Sequence, residues 1–158
     1  CPKKENNYEI NVVVWNEKNY DQELEKILID DVLTFQGSCW FMHKDYYYDL
    51  ELMDDVNYGT FRKEPQEITF KSWLSGGRVV RNKKTWYAHL HKGHQYGRGY
   101  SYSKEDYRKG DLYLLNWLTD SAWHKQTIPF RWMIDKFNMP EWDTFDWDEM
   151  KAKIGNIK

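Results

Sequence analysis

Two glutamates and two histidines are the side chains of this sequence whose type and spacing can do chemistry. Glu64 and Glu67 stand three residues apart in EPQEITFKSWLSGG, and His89 and His91 alternate in TWYAHLH just beyond it. A carboxylate can take a proton from a hydroxyl, and neutral imidazole is a good ligand for first-row divalent ions. Each feature has an ordinary reading. A glutamate in the first turn of a helix complements the helix dipole, and most histidine pairs on an extended segment hold no metal. Their order and distance in one stretch of chain make the combination informative.

The elements that must position these groups are legible nearby. Pro65 suits the first turn of a helix, where a missing N–H costs nothing, and Gly76 suits its end, so a helix is expected from Glu64 to the Gly-Gly. Phe70, Trp73 and Leu74 share one face of it. Arg78–Asn82 and Thr85–His91 read as short extended segments. In the second, alternation places Trp86, Ala88 and Leu90 on one side and Tyr87, His89 and His91 on the other. Upstream, residues 8–15 and Gln36–His43 read as strands, residues 21–33 as a short helix or loop, Tyr46–Tyr48 as a helical turn and residues 51–63 as a loop. Downstream, Ser103 with Asp106 marks the start of a helix through about Leu118, and Thr127-Ile128-Pro129 opens another through about Phe137. The tail from residue 140 is expected to pack Trp142, Phe145 and Trp147 onto the body, with a last helix.

The chain of 158 residues is one domain's worth or part of a larger one. Its mean hydropathy is -0.92, but its 9 Trp, 12 Tyr and 7 Phe supply the apolar area that its aliphatic content does not. The net charge of -2 hides a segregation: residues 1–77 carry 8 basic and 15 acidic side chains, residues 78–109 carry 9 and 2. Such a basic block is either a solvated face or the footprint of an anionic ligand. Cys1 and Cys39 have no metal or disulfide spacing. No apolar run approaches a membrane span and no signal peptide is present, so a cytoplasmic protein without a membrane partner is expected. The chain begins at Cys1 rather than Met, which suggests a segment upstream.

Residues 36–102, through QGSCWFMHKDYYYDL, EPQEITFKSWLSGG and RVVRNKKTWYAHLHKG, resemble the acceptor-side half of family 2-like glycosyltransferases of the GT-A type. The phage-type enzymes are similar, and in outline so are the polypeptide N-acetylgalactosaminyltransferases. The resemblance implies an α/β fold, the C-terminal half of a GT-A-like domain, with residues 1–35 as an N-terminal strand and connection and residues 103–158 as a helical extension. It implies hexosyl transfer from a nucleotide-sugar donor to an acceptor hydroxyl, with Mn²⁺ or Mg²⁺ as cofactor. By position, His89 matches the family's metal ligand, and Glu64 and Glu67 match the acidic positions where acceptor meets sugar. His91, Lys92 and Arg98 match donor phosphate contacts, and Tyr96 matches an aromatic of a lid.

Two departures follow. Pro65 stands where inverting members carry the aspartate that acts as base, so that duty falls to Glu64 or Glu67, or the enzyme is a retaining one. The donor-binding half with its Asp-x-Asp motif is not in the sequence, since Asp30-Asp31 and Asp54-Asp55 are adjacent pairs; the implied partner is an N-terminal half of the same protein. The alternative reading is a non-enzymatic module that binds a glycan or nucleic acid through residues 78–102, nucleic acid being the less expected.

Overall fold

The computed structural model describes residues 21–59, 63–90, 103–139 and 142–156. About half of these are helical, beside one two-stranded sheet, a mixed α/β arrangement. In chain order the elements are α1 (Gln22–Lys26), β1 (Ile29–Asp31), α2 (Lys44–Asp49), α3 (Asp55–Tyr58), α4 (Glu64–Leu74), β2 (Val80–Asn82), α5 (Lys104–Thr119), α6 (Phe130–Phe137), a 3-10 turn (Trp142–Thr144) and α7 (Trp147–Asn156). None of the described helices is long and apolar enough to cross a membrane.

Helix α4 is the most completely buried of the described helices. Pro65 lies in its first turn, Ser75 closes it, and Gly76 follows with φ 89°, a conformation glycine adopts without strain. Every residue from Gln66 to Leu74 is buried, on all faces rather than on one stripe. The expected face of Phe70, Trp73 and Leu74 is therefore only part of what the core covers. In one core with it are Leu114, Leu115 and Leu118 of α5, Phe130, Met133 and Phe137 of α6, and Met150 and Ile154 of α7. Aromatic edges join these layers. Phe70 meets Phe130 at 6.0 Å, Trp73 meets Phe137 at 5.4 Å, and Phe130 meets Trp142 at 5.4 Å, all within the range of favourable ring pairs.

Local chemistry explains the neighbouring helices. Ser103 and Asp106 form a reciprocal capping box at the start of α5. The Leu74 carbonyl at the end of α4 accepts from the N–H groups of Thr127 and Ile128, both at 2.9 Å. This ties the lead-in to α6 onto the helix it packs against. Asn138 ends α6 in the left-handed region at φ 47°, which asparagine tolerates. Trp142 is buried and Trp147 lies 5.3 Å from it, so the tail does pack its rings onto the body.

The sheet is small. β1 and β2 run antiparallel, with Asp30 opposite Arg81 and Asp31 opposite Val80. Arg81 Nη2 reaches Asp30 at 2.7 Å, and Lys136 of α6 reaches Asp31 at 2.8 Å. The pairing thus holds charge against charge where strands of three residues have little apolar surface to offer.

Three local expectations are corrected. Gln36–His43 is not a strand: residues 37–39 turn, and no ladder partner is present among the described residues. Trp40 and Met42 pack individually against the core, while Phe41 is 94% exposed. Residues 85–90 carry no ladder either, and all are exposed. Within the expected loop 51–63, Asp54 accepts from the Asn57 N–H and caps the short helix α3. The expected strand 8–15 lies outside the described residues.

At Gly110 of α5 the chain passes close to its own backbone. A methyl group there would stand 2.6 Å from the Tyr58 carbonyl oxygen and 3.1 Å from the Lys63 side chain. Gly110→Ala is expected to lose about 1–3 kcal/mol of stability, as overpacked cores do, measured as a lowered urea midpoint with unchanged slope.

Candidate functional site

The first turn of α4 carries both glutamates, and their surroundings separate them. Lys63, the residue before α4, is buried and ion-paired with Asp111 of α5, which fixes where the helix begins. Glu67 is 1% exposed. One of its oxygens accepts from Lys71 Nζ at 2.7 Å and the other from the Met53 N–H at 3.0 Å. Lys71, one turn on, also donates to the Glu51 carbonyl at 2.7 Å. Burial pushes the Glu67 carboxyl upward more strongly than Lys71 and the Met53 N–H pull it back. Both carboxylate oxygens of Glu67 thus serve the packing of the 50–54 turn.

Glu64 is half-buried and differently placed. Burial raises its carboxyl above the ordinary range, against a hydrogen bond from Trp40 that lowers it. The Trp40 ring in turn lies parallel to Tyr47 of α2, with centroids 6.3 Å apart. Gly37 passes so close that a β-carbon there would meet Glu64 Oε1 at 2.9 Å and Pro65 at 3.1 Å. The turn at 37–39 is what allows this approach. A ladder strand over the same residues would carry the chain past α4 instead.

His89 is exposed, and its Nδ1 lies 3.4 Å from Gln36 Nε2. Tyr87, two residues earlier, places its hydroxyl 2.5 Å from Ser38 Oγ and 3.1 Å from Gln36 Oε1. Ser38 Oγ donates to Gln36 Oε1 at 2.9 Å. Tyr87 and His89 therefore reach toward the same segment, as the alternation of residues 85–91 predicts, although no strand forms. Segment 36–40 is the common element: Gln36 touches His89, Gly37 borders Glu64, and Trp40 bonds Glu64.

His91, Lys92, Tyr96 and Arg98 lie outside the described residues. Among the described residues no three His, Cys, Asp or Glu side chains come together as a set able to hold a metal ion. A lone imidazole holds Mn²⁺ or Mg²⁺ poorly, because these ions favour oxygen ligands. The residues described do not by themselves make a metal site.

Sequence reasoning picks out Glu64 and His89 and misses Gln36, Ser38 and Trp40 as their neighbours. No spacing rule links them, since Gln36 and His89 are 53 residues apart. The one available signal is Gly37-Ser38, a turn pair inside what otherwise reads as a continuous apolar run. No family model, no curated protein and no solved structure matches this chain.

The division between the two glutamates has a measurable consequence. Lys71→Met leaves the Glu67 carboxylate buried without its cation and is expected to cost about 3–5 kcal/mol at neutral pH. Part of that loss is expected to return as the pH falls and Glu67 takes up a proton. Adding Glu67→Gln is expected to restore most of it, because the pair then loses both charges together. Urea unfolding of the single and double variants checks this.

Proposed function

We propose that this chain supplies the acceptor side of a nucleotide-sugar-dependent glycosyltransferase, with Glu64 as the carboxylate that serves the acceptor hydroxyl. The carrying observation is the convergence of Glu64 and His89 on the single short segment 36–40. The finer reading of the mixed α/β fold, as the C-terminal half of a GT-A-like domain with residues 103–158 as its helical extension, belongs to the same proposal. The resemblance of EPQEITFKSWLSGG and its downstream histidine to that family supports it.

Of the two candidate bases, the geometry favours Glu64. Burial raises both carboxyls, but both oxygens of Glu67 hold protein donors and the residue is enclosed, whereas Glu64 is half-buried with Trp40 as its donor. A raised carboxyl is a stronger base once ionised, which suits proton abstraction near neutral pH. In the inverting form of the reaction, Glu64 takes the acceptor hydroxyl's proton as that oxygen bonds to the anomeric carbon. The bond from that carbon to the diphosphate breaks, and the nucleoside diphosphate leaves with the electron pair. His89, exposed and in contact with Gln36, is left for the donor side. The donor-binding groups are contributed by another part of the protein.

The test uses a chain that also carries a donor-binding half, assayed for transfer from a panel of uridine diphosphate sugars with Mn²⁺. Glu64→Gln is expected to lower turnover about 10²–10⁴-fold, with the donor KM little changed and Glu67→Gln acting mainly through stability. Turnover that survives Glu64→Gln would overturn the assignment of the base. Titration of the present chain with uridine diphosphate sugar and Mn²⁺, beside His89→Ala, reads the donor side separately.

A stability measurement distinguishes the same residue. The folded pKa of Glu64 lies above its unfolded value, so the native state binds the proton more tightly. Its contribution is fully favourable below the unfolded pKa, about 4.3, and is lost as pH rises through the raised folded value. Glu64→Gln is therefore expected to be more stable than the parent at neutral pH, with the difference fading as the pH falls through that window. Thermal unfolding at several pH values checks it.

A further inference from the structure

A concave site lies beside Lys71 of the buried Glu67–Lys71 pair. It is a cleft of about 370 Å³ between the 50–54 turn, the end of α5 and the 122–124 turn, lined among others by Glu51, Asp54, Tyr113, Asn116 and Trp123. Its volume falls at the small end of the roughly 300–1,000 Å³ typical of ligand pockets. It shares no lining residue with segment 36–40, Glu64 or His89. We propose that this cleft binds one neutral sugar residue of a glycan.

The chemistry of the walls selects that class. Glu51 is half-exposed, with His124 at 3.3 Å and Lys125 at 3.4 Å beside its carboxylate. Burial opposes its ionisation, but those two neighbours outweigh it and hold the carboxyl below its ordinary value. Burial likewise opposes ionisation of Asp54, and hydrogen bonds from Asn57 and Tyr113 prevail. Each carboxylate offers about four acceptor positions, more than these protein donors use. Asn116 is exposed on α5 and can both donate and accept. Trp117 and Trp123 are mostly buried and form an apolar wall.

Other ligand classes fit these groups poorly. A phosphate would meet Glu51 and Asp54 directly, and Lys71 already has its charge balanced by Glu67 at 2.7 Å. A cation would meet Lys71, which itself lines the cleft, and a Glu51 carboxylate already paired with Lys125 at 3.4 Å. A wholly apolar ligand would strip water from two carboxylates and return no hydrogen bond. A pyranose carries hydroxyl donors for the carboxylates, acceptors for an amide, and an apolar C–H face for an indole wall. The cleft is separate from the site of the transfer reading, and its occupancy does not depend on that reaction.

The experiment is an NMR titration of the full chain with methyl glycosides of glucose, galactose and N-acetylglucosamine, following the indole N–H resonances of Trp117 and Trp123. At least one glycoside is expected to give saturable shifts of these resonances. Asn116→Ala and Glu51→Gln, both at exposed positions, are each expected to weaken that binding about tenfold, as loss of one hydrogen bond does. Glu64→Gln is expected to leave it unchanged, which keeps this proposal separable from the transfer reading. No saturable shift with any of the three glycosides, or shifts indifferent to both cleft variants, overturns it. So does a response confined to uridine diphosphate or to tetramethylammonium, added as the anionic and cationic controls.

Discussion

A helix buried on every face must take its polar side chains into the core with it, and in α4 the Glu67–Lys71 pair meets that constraint. Burying either charge alone would be costly, because water is removed and nothing replaces it. Here Lys71 answers one carboxylate oxygen, the Met53 N–H answers the other, and the Glu51 carbonyl takes a further lysine proton. Those contacts hold a turn in which Glu51 and Met53 both adopt positive φ, 52° and 64°, a conformation that needs such support. From that turn Asp54 caps α3, and Tyr58 at the end of α3 accepts from the Trp117 indole at 2.7 Å. The position of α5 against α4 thus depends on an ion pair as well as on apolar packing.

The same constraint gives the two glutamates of one helical turn different surroundings. Glu67 and Glu64 are equivalent by residue type and nearly so by helical position. One is fully enclosed and its oxygens are engaged by the protein, while the other stands at the boundary of the core, raised by desolvation and approached by Trp40 and Gly37. A half-buried carboxyl of this kind works against stability when ionised. Burial raises both carboxyls, and the partial exposure of Glu64 is why it, rather than Glu67, carries the functional proposal.

Much of the local structure was legible because it is set by neighbours in sequence. The helix from Glu64, the capping box at Ser103 and Asp106, the lead-in at Thr127–Pro129 and the aromatic tail each follow from residues within a turn or two. Gln36–His43 reads as a strand because its apolar run fits a buried strand, and periodicity cannot report whether a partner edge exists. The turn at Gly37-Ser38 instead lets the chain fold against α4. The loop 51–63 hid α3 because a four-residue helix is too short to show a period, and its cap at Asp54 is the only local mark.

What the sequence by itself determined is the approximate extent of the longer helices α4, α5 and α6, the abundance of rings for a core, and Glu64 and His89 as groups able to do chemistry. These follow from propensity, capping and side-chain chemistry, which act over a few residues. Tertiary structure alone decided which glutamate is enclosed, that Gln36 meets His89 across 53 residues, and that Glu51, Asp54, Asn116 and Trp123 line one cleft. The physical reason is desolvation and contact. Both depend on what the rest of the chain brings alongside a residue, and no spacing along the sequence carries that information.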